Sequence, residues 1–282
     1  PDFFEYDLTL AASSLDLLTA ADQLAESTRK RIKVHLKIDT GMERIGVREY
    51  EAGALIEKSL SCSQFLDVEG IFTHFANSEV VSHRIVPAAL QIERFQEVLS
   101  LYEKRGAPRP RICHAANSGA TLSLPESYFD MVRPGVLFYG VYPARDIERT
   151  IEVQPAMTWK SKVVFSKITQ PGRAVSYGSL WQAKAETRVV TVPCGYADGY
   201  FRRMTNQARV LINGKSYPQV GRICMDQFMV SAGADEVHVG DEVILMGGGI
   251  APEELADWAG TNEYEVMTNI SARVPRVFVT TQ

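Results

Sequence analysis

No two cysteines in this chain have the spacing of a metal knuckle or a redox pair. The 4 cysteines among its 282 residues are Cys62, Cys113, Cys194 and Cys224. Each sits in or beside an apolar stretch, so they are expected as buried, reduced thiols of a cytoplasmic protein, not as a disulfide framework. The 5 histidines show no His-x-x-x-His or mixed Cys/His pattern, so no zinc site is expected. No apolar run approaches the ~20 residues that cross a bilayer. No secretory pattern opens the chain, which starts at Pro1 without a methionine. Basic residues are not in excess: Lys and Arg number 30 against 34 Asp and Glu, for a net charge of -4. That balance gives no footprint for nucleic acid or an anionic membrane surface. Internal repeats and low-complexity segments are absent too.

What remains is a chain long enough for two domains with a sizeable core. Its first half alternates strand and helix. A short apolar segment at 8–11 is followed by Ser13, expected to cap a helix through about residue 27. Residues 31–39 alternate strictly, with Val34, Leu36 and Ile38 on one face and Lys33, His35, Lys37 and Asp39 on the other, which is a strand period. A helix is expected over about 48–60, a strand over 68–74, and a long helix opened by Pro87 with Ala88, Ile92, Phe95, Leu99 and Tyr102 on one stripe. Strand 111–115, a short helix 117–124, and short strands at 131–133 and 136–138 complete the half. Five or six strands alternating with helices argue for parallel βα units. An open doubly wound sheet uses that number. A closed (β/α)8 barrel needs eight strands and ~250 residues, so if this is a barrel, two or three units are expected ahead of Pro1.

After about residue 150 the texture changes. Short strands are expected at 156–168, 188–192, 208–212, 219–223 and 237–245, separated by turns such as Asn213-Gly214 and Gly240-Asp241. Pro252 begins a short helix and 277–280 is expected as a closing strand. This reads as a mostly antiparallel β domain, giving domains at 1–150 and 151–282.

Three polar residues fall at strand ends of the first half: Lys37, His74 and Arg133. In a barrel that rim carries the chemistry. Asn117-Ser118 opens a helix, and Gly135 and Val136 begin the turn after Arg133; together they can form a phosphate cup. In the second half a phenol, Tyr177 in Val-Ser-Tyr-Gly, and a carboxylate, Asp226 in Cys-Met-Asp-Gln, stand out. A phenol, a carboxylate and a Lys/Arg pair suit a small zwitterion with an exchangeable proton.

The segments HLKIDTGMERIG (35–46), THFA (73–76), HAANSGA (114–120), MVRPGVLFYG (131–140), VSYGS (175–179), GYADGY (195–200), VGRICMDQ (220–227) and YEVMTNISARVPR (264–276) occur in that order over nearly the whole chain. In this the chain resembles the alanine racemase family, pyridoxal-phosphate enzymes with a (β/α)8 barrel and a C-terminal β domain. The resemblance implies a homodimer with shared sites that interconverts L- and D-alanine and supplies D-alanine for peptidoglycan. It implies that Tyr177 is the catalytic tyrosine, serving the neighbouring subunit's cofactor, with His74 near it. Arg133 is implied to face the pyridine nitrogen of pyridoxal 5'-phosphate, and Ser118, Gly135, Val136 and Tyr264 to hold its phosphate. Arg44 would meet the substrate carboxylate, Lys37 would be the often carbamylated lysine that sets Arg44, and Met225 and Asp226 would be a partner-subunit pair at the substrate carboxylate. Tyr196, with Arg202 and Arg222, would line the entry corridor.

The physics of racemisation agrees with such a set. A proton leaves one face of the α-carbon and returns to the other, so two bases flank it. Tyrosine is a poor base at its ordinary pKa of ~10, and cationic or hydrogen-bonding neighbours favour its phenolate. Rival readings are a serine or broad-specificity racemase, a decarboxylase of the same fold type, a non-catalytic cofactor-binding protein and an inactive remnant. Tyr196 and Tyr264, two large phenols, favour alanine; VSYG and CMDQ disfavour decarboxylation; the β domain disfavours the binding protein. Departures from the family pattern are small: Glu79 replaces a usual aspartate, and Asn262-Glu263 precede Tyr264. A larger one is that no lysine here sits in the family's cofactor-anchoring motif. The expectation is that this polypeptide alone neither forms the Schiff base nor racemises alanine. The absorbance of that linkage and turnover after adding cofactor to this polypeptide measure it, and normal activity refutes it.

Overall fold

The computed structural model describes residues 2–78 and 87–279. Glu79 and the end of the expected closing strand, Thr280, lie outside them. The chain forms two compact units. The first runs to Gly135 and includes Asp146–Glu152; the second consists of Val136–Arg145 and the chain from Val153 onward.

In the first unit, α1 (Asp2–Glu5), β1 (Thr9–Ala12), α2 (Leu15–Thr28), β2 (Ile32–Asp39), β3 (Val47–Arg48), α3 (Ala52–Leu60), β4 (Leu66–Phe72), α4 (Ala88–Lys104), β5 (Ile112–His114) and α5 (Ser118–Ser123) follow one another. The strands pair in parallel in the order β1-β2-β4-β5, with β3 beside the end of β2. The alternation in β2 decides its two faces. Val34, Leu36 and Ile38 are fully buried in a core with Leu18, Leu55, Ile56, Ile71 and Phe95, while His35 and Lys37 point to the other side of the sheet. The cap of α2 is Ser14, whose hydroxyl accepts from the Leu17 amide at 3.1 Å, and not Ser13; the strand runs one residue further than its apolar pattern. Residues 136–138 are not a strand either. Gly135–Tyr139 form a 3-10 turn, and of 131–133 only Met131 bridges, to His114.

The second unit comprises β6 (Trp159–Lys162), β7 (Phe165–Thr169), β8 (Ala174–Val175), β9 (Trp181–Gln182), β10 (Thr187–Val192), β11 (Arg209–Ile212), β12 (Lys215–Val220), β13 (Phe228–Gly233), β14 (Glu242–Met246), α6 (Pro252–Ala259) and α7 (Glu263–Asn269). Seven strands form one antiparallel sheet in the order β6-β14-β11-β12-β13-β10-β7, and β8 and β9 pair separately. The expected single strand at 156–168 is two strands at opposite ends of that order. Only Val163 and Val164 lie between them, so the sheet curls until its edges approach. Val163 accepts from Gly240 and donates to Asp241, while Val164 donates to Thr191; Val163, Val164 and Phe165 are consecutive apolar residues, and of the three only Val163 is buried. β13 was not among the expected strands, although Phe228, Val230 and Ala232 alternate into the core. Val277–Val279 are exposed and form no strand. Their apolar run meets no sheet edge.

The loops of this unit are fixed by close backbone approach. A Cβ on Gly195 would lie 2.3 Å from the carbonyl oxygens of both Cys224 and Met225, so only glycine lets the 194–198 loop reach the 224–227 loop. Gly195→Ala should destabilise the protein by about 1–3 kcal/mol, measured as a lowered urea midpoint at unchanged slope. An unchanged midpoint would show that the loops separate without loss.

Candidate active site

Parallel strands deliver their last residues to one rim, and in the first unit that rim gathers cations around neutral imidazoles. Arg133 follows the Met131 bridge. Its Nη1 donates to His114 Nδ1 at 2.7 Å, and its Nη2 donates to the carbonyls of Thr73 at 2.8 Å and Ala115 at 3.0 Å and to His74 Nδ1 at 3.3 Å. Arginine has no acceptor to offer, so both Nδ1 atoms must be unprotonated and both rings carry their hydrogen on Nε2. His114 Nε2 then donates to His35 Nδ1, 2.7 Å away, and His35 Nε2 faces Glu69 at 3.4 Å. Arg111 closes the row by donating to Glu69 at 2.6 Å. Burial, then Arg133, holds His114 down to about 3. Burial, then Arg133, Arg44 and Lys37, holds His74 down to about 4. Burial alone brings Arg133 to about 10. The guanidinium thus stays charged at neutral pH while the imidazoles stay neutral.

Lys37, near the end of β2, is buried. Its Nζ donates to the Ile38 carbonyl at 2.6 Å and lies 5.5 Å from the centre of the Phe72 ring. Burial lowers its pKa to about 8 against the pull of Asp39, with Arg133 and Arg44 adding to the depression. Asp39 accepts the amides of Gly41 and Met42, both at 2.9 Å, and so turns the chain toward Arg44. Arg44 is exposed and lines a cavity of about 260 Å³ with Asp39, Glu43 and Arg48. A buried brace holds the rim: Gln91 on α4 donates to Thr40 Oγ1 and the His74 carbonyl, both at 3.1 Å, and Thr40 bonds Thr73 at 2.7 Å. Ser118 Oγ donates to the Pro134 carbonyl at 2.6 Å, and Asn117 caps α5 through the Ala120 amide.

The remaining expected residues belong to the second unit. Tyr177 sits in a turn after β8, 71% exposed, on an open cleft of about 660 Å³ shared with Lys167, Thr169, Arg173, Ser176 and Cys224. Met225 and Asp226 lie between β12 and β13. The Met225 carbonyl accepts from Ala197, and the Cys224 carbonyl from Tyr196, which ties Tyr196 to this loop. Arg273 donates to Asp226 and to Asp198, both at 2.6 Å. Asp198 in turn accepts the Gly195 amide at 2.8 Å. Arg202 stands in a 3-10 turn, Arg222 has a buried Nε without a hydrogen-bond partner, and Tyr264 is in the first turn of α7. Val136 is buried in this unit, whereas Gly135 belongs to the first.

Sequence reasoning attached no role to His114, His35 or Gln91. His114 had a usable signal, since it ends a strand just as Lys37 does. Gln91 had none, because a helical glutamine reads as surface. Arg273 stood inside a recognised segment without a task.

The chain matches the family models "Alanine racemase, N-terminal domain" over residues 1–143 and "Alanine racemase, C-terminal domain" over 156–278. It is 42% identical over 279 residues to an alanine racemase of Chlorobaculum tepidum, covering 98% of this chain and 72% of that protein. A relative of the same name from Carboxydothermus hydrogenoformans is 44% identical, with 97% and 75% covered. The crystal structure of alanine racemase from D-cycloserine-producing Streptomyces lavendulae superposes with a TM-score of 0.90 at 34% identity, covering 100% of this chain and 75% of that one.

Three histidines with lowered pKa values, His114 buried and His35 and His74 half-buried, make the fold sensitive to acid. For His114 the sign is fixed. Between pH 6.5 and about 3 the unfolded chain binds a proton that the folded chain refuses, so its contribution is present at neutral pH and is lost as pH falls through that window. Between pH 7 and pH 4 the wild type should lose about 3 kcal/mol more stability than His114→Gln, measured by urea unfolding at both pH values. Equal losses would refute the buried neutral imidazole.

Proposed function

The chain belongs to the alanine racemase family, and from that premise we propose that it interconverts L- and D-alanine by moving the α-hydrogen between opposite faces, in a homodimer that holds pyridoxal 5'-phosphate. The observation that carries this reading is the Arg133 cluster, with one cation held charged among imidazoles held neutral.

The strand order supports a barrel. β1, β2, β4 and β5 neighbour one another in chain order. A doubly wound sheet reverses its order at a switch point, whereas a (β/α)8 barrel does not. We therefore read the first unit as an arc of such a barrel.

The residues fit the cofactor. A Cβ on Gly135 would come within 3.2 Å of Ser118 Oγ, so the missing side chain leaves room for a phosphate oxygen beside a hydroxyl, which would donate to it by turning from the Pro134 carbonyl it now meets at 2.6 Å. Arg133 supplies a cationic N–H for a ring nitrogen and, at about 10, keeps its proton at neutral pH instead of giving it up. When bound, the cofactor supplies the electron sink that acidifies the α-hydrogen.

The protein's own groups do the rest. Tyr177 carries the proton for one face at its phenolic oxygen. His74 accepts from Arg133 at Nδ1, so its Nε2–H is the donor it can offer, and a donor stabilises a phenolate. Arg44 takes the substrate carboxylate, and Met225 and Asp226 of the second copy in the homodimer frame the same end. Lys37, whose pKa is lowered to about 8, can present a neutral amine to carbon dioxide, and the carbamate anion formed with loss of a proton would hold Arg44. Tyr196 and Tyr264 narrow the space for the substrate side chain to that of alanine. The second proton carrier, the amine that holds the cofactor, is assigned to no lysine of this chain.

Tyr177→Phe in the cofactor-loaded native protein should lower α-hydrogen exchange from one enantiomer by about 10²- to 10⁴-fold while cofactor absorbance is retained. NMR of α-deuterium incorporation from each enantiomer measures it. Equal loss from both enantiomers would remove Tyr177 as the base.

A further inference from the structure

Tyr177 is mostly exposed within its own chain, so packing inside the chain does not aim it; the backbone beside it does. Ser176 has φ 66° and ψ -176°, a region that glycine enters freely and a side chain enters only under strain. Three contacts hold it there. Its hydroxyl donates to the Arg222 carbonyl at 2.7 Å, its carbonyl accepts from the Ser179 amide at 3.3 Å, and Gly221 lies directly against it. A Cβ on Gly221 would sit 2.6 Å from the Val175 carbonyl oxygen and 3.0 Å from the Ser176 Cβ. On the far side, Gly178 at φ 73° and ψ 6° has the third-position geometry of a type II turn, which puts Tyr177 at the corner of the turn. The Arg222 guanidinium approaches to 3.4 Å of where a Gly178 Cβ would be. The 220–222 segment therefore braces the turn on both sides of Tyr177.

We propose that Ser176 is a positioning residue: its strained backbone, pinned to the Arg222 carbonyl, fixes the direction in which the Tyr177 phenol leaves the turn. A relaxed residue at 176 would let the turn swing through several wells. A pinned one permits a single direction without any contact to the ring. The inference rests on the reading of Tyr177 as a proton carrier.

The test compares Ser176→Gly, Ser176→Ala and Tyr177→Phe in the cofactor-loaded native protein. Glycine removes both the strain and the pin. It should raise the melting temperature by about 2–4 °C, lower kcat roughly 10-fold and leave KM for alanine little changed. The α-deuterium isotope effect should increase for the one enantiomer whose hydrogen Tyr177 takes. Alanine keeps the strain and loses the pin, so both melting temperature and kcat should fall. Wild-type turnover in Ser176→Gly, with Tyr177→Phe impaired, overturns the positioning role alone. A fall of both melting temperature and kcat in Ser176→Gly makes Ser176 merely structural and overturns it too. Undiminished exchange in Tyr177→Phe removes the reading of Tyr177 and the proposal with it.

Discussion

A charged guanidinium among uncharged rings is the constraint on which the first unit depends. A half-buried cation still needs acceptors for its N–H groups, because leaving them unpaired away from water is expensive. Arg133 finds two carbonyls and two imidazole nitrogens. That choice sets the tautomer of His114 and His74, and through His114 that of His35. Each hydrogen bond then points away from the cation until the row ends on the Glu69 carboxylate, itself neutralised by Arg111. The same network that satisfies Arg133 suppresses imidazolium formation, so the rim's imidazoles stay uncharged across the neutral range.

The second unit solves a different problem, that of placing side chains that protrude. Tyr177, Met225 and Asp226 are all exposed, and exposed side chains gain little direction from packing. Their loops are instead sewn to one another by backbone. Tyr196 and Ala197 donate to the 224–225 carbonyls, Asp198 accepts from Gly195 and Arg273, and Ser271 donates to the Asp198 carbonyl. Three segments far apart in sequence thereby act as one plate. Arg273, which bonds Asp198 and Asp226 together, fixes the carboxylate that the substrate-binding reading requires.

Much of this was legible before any fold was seen, for reasons that differ by element. The alternation in 31–39 exposed the two faces of β2, and with them the placement of Lys37, because a period of two has one meaning. Pro87 marked the start of α4 because proline suits the first turn of a helix. The bend at Val163-Val164 was not legible, since Val163, Val164 and Phe165 read as a continuous apolar run inside one strand. Residues 136–138 misled because Val-Leu-Phe is apolar in either a strand or a turn, and the positive φ of Gly135 is what sends the chain into a 3-10 turn. Of the site residues, Lys37, His74 and Arg133 share one electrostatic neighbourhood. Strand-end position predicted that, but not the supporting roles of His114 and Gln91. Those depend on which neighbours complete hydrogen bonds, and no periodicity encodes that.

The balance of charge at the rim also explains why Lys37 is its most yielding member. Arg133 and Arg44 both raise the local potential at the amine, burial removes the water that would soften it, and only Asp39 opposes them. Asp39 is partly spent on the amides of Gly41 and Met42. Of the cations present, arginine surrenders its proton last, so the lysine is the group that can become neutral, at about 8. A site built this way has an unanswered positive field. It favours an anion: the substrate carboxylate at Arg44, or a carbamate formed on Lys37 from carbon dioxide with loss of a proton. Each lowers the field that the other feels. The lysine's depressed affinity for its proton and the arginine's readiness for a carboxylate are thus two consequences of the same arrangement of charge.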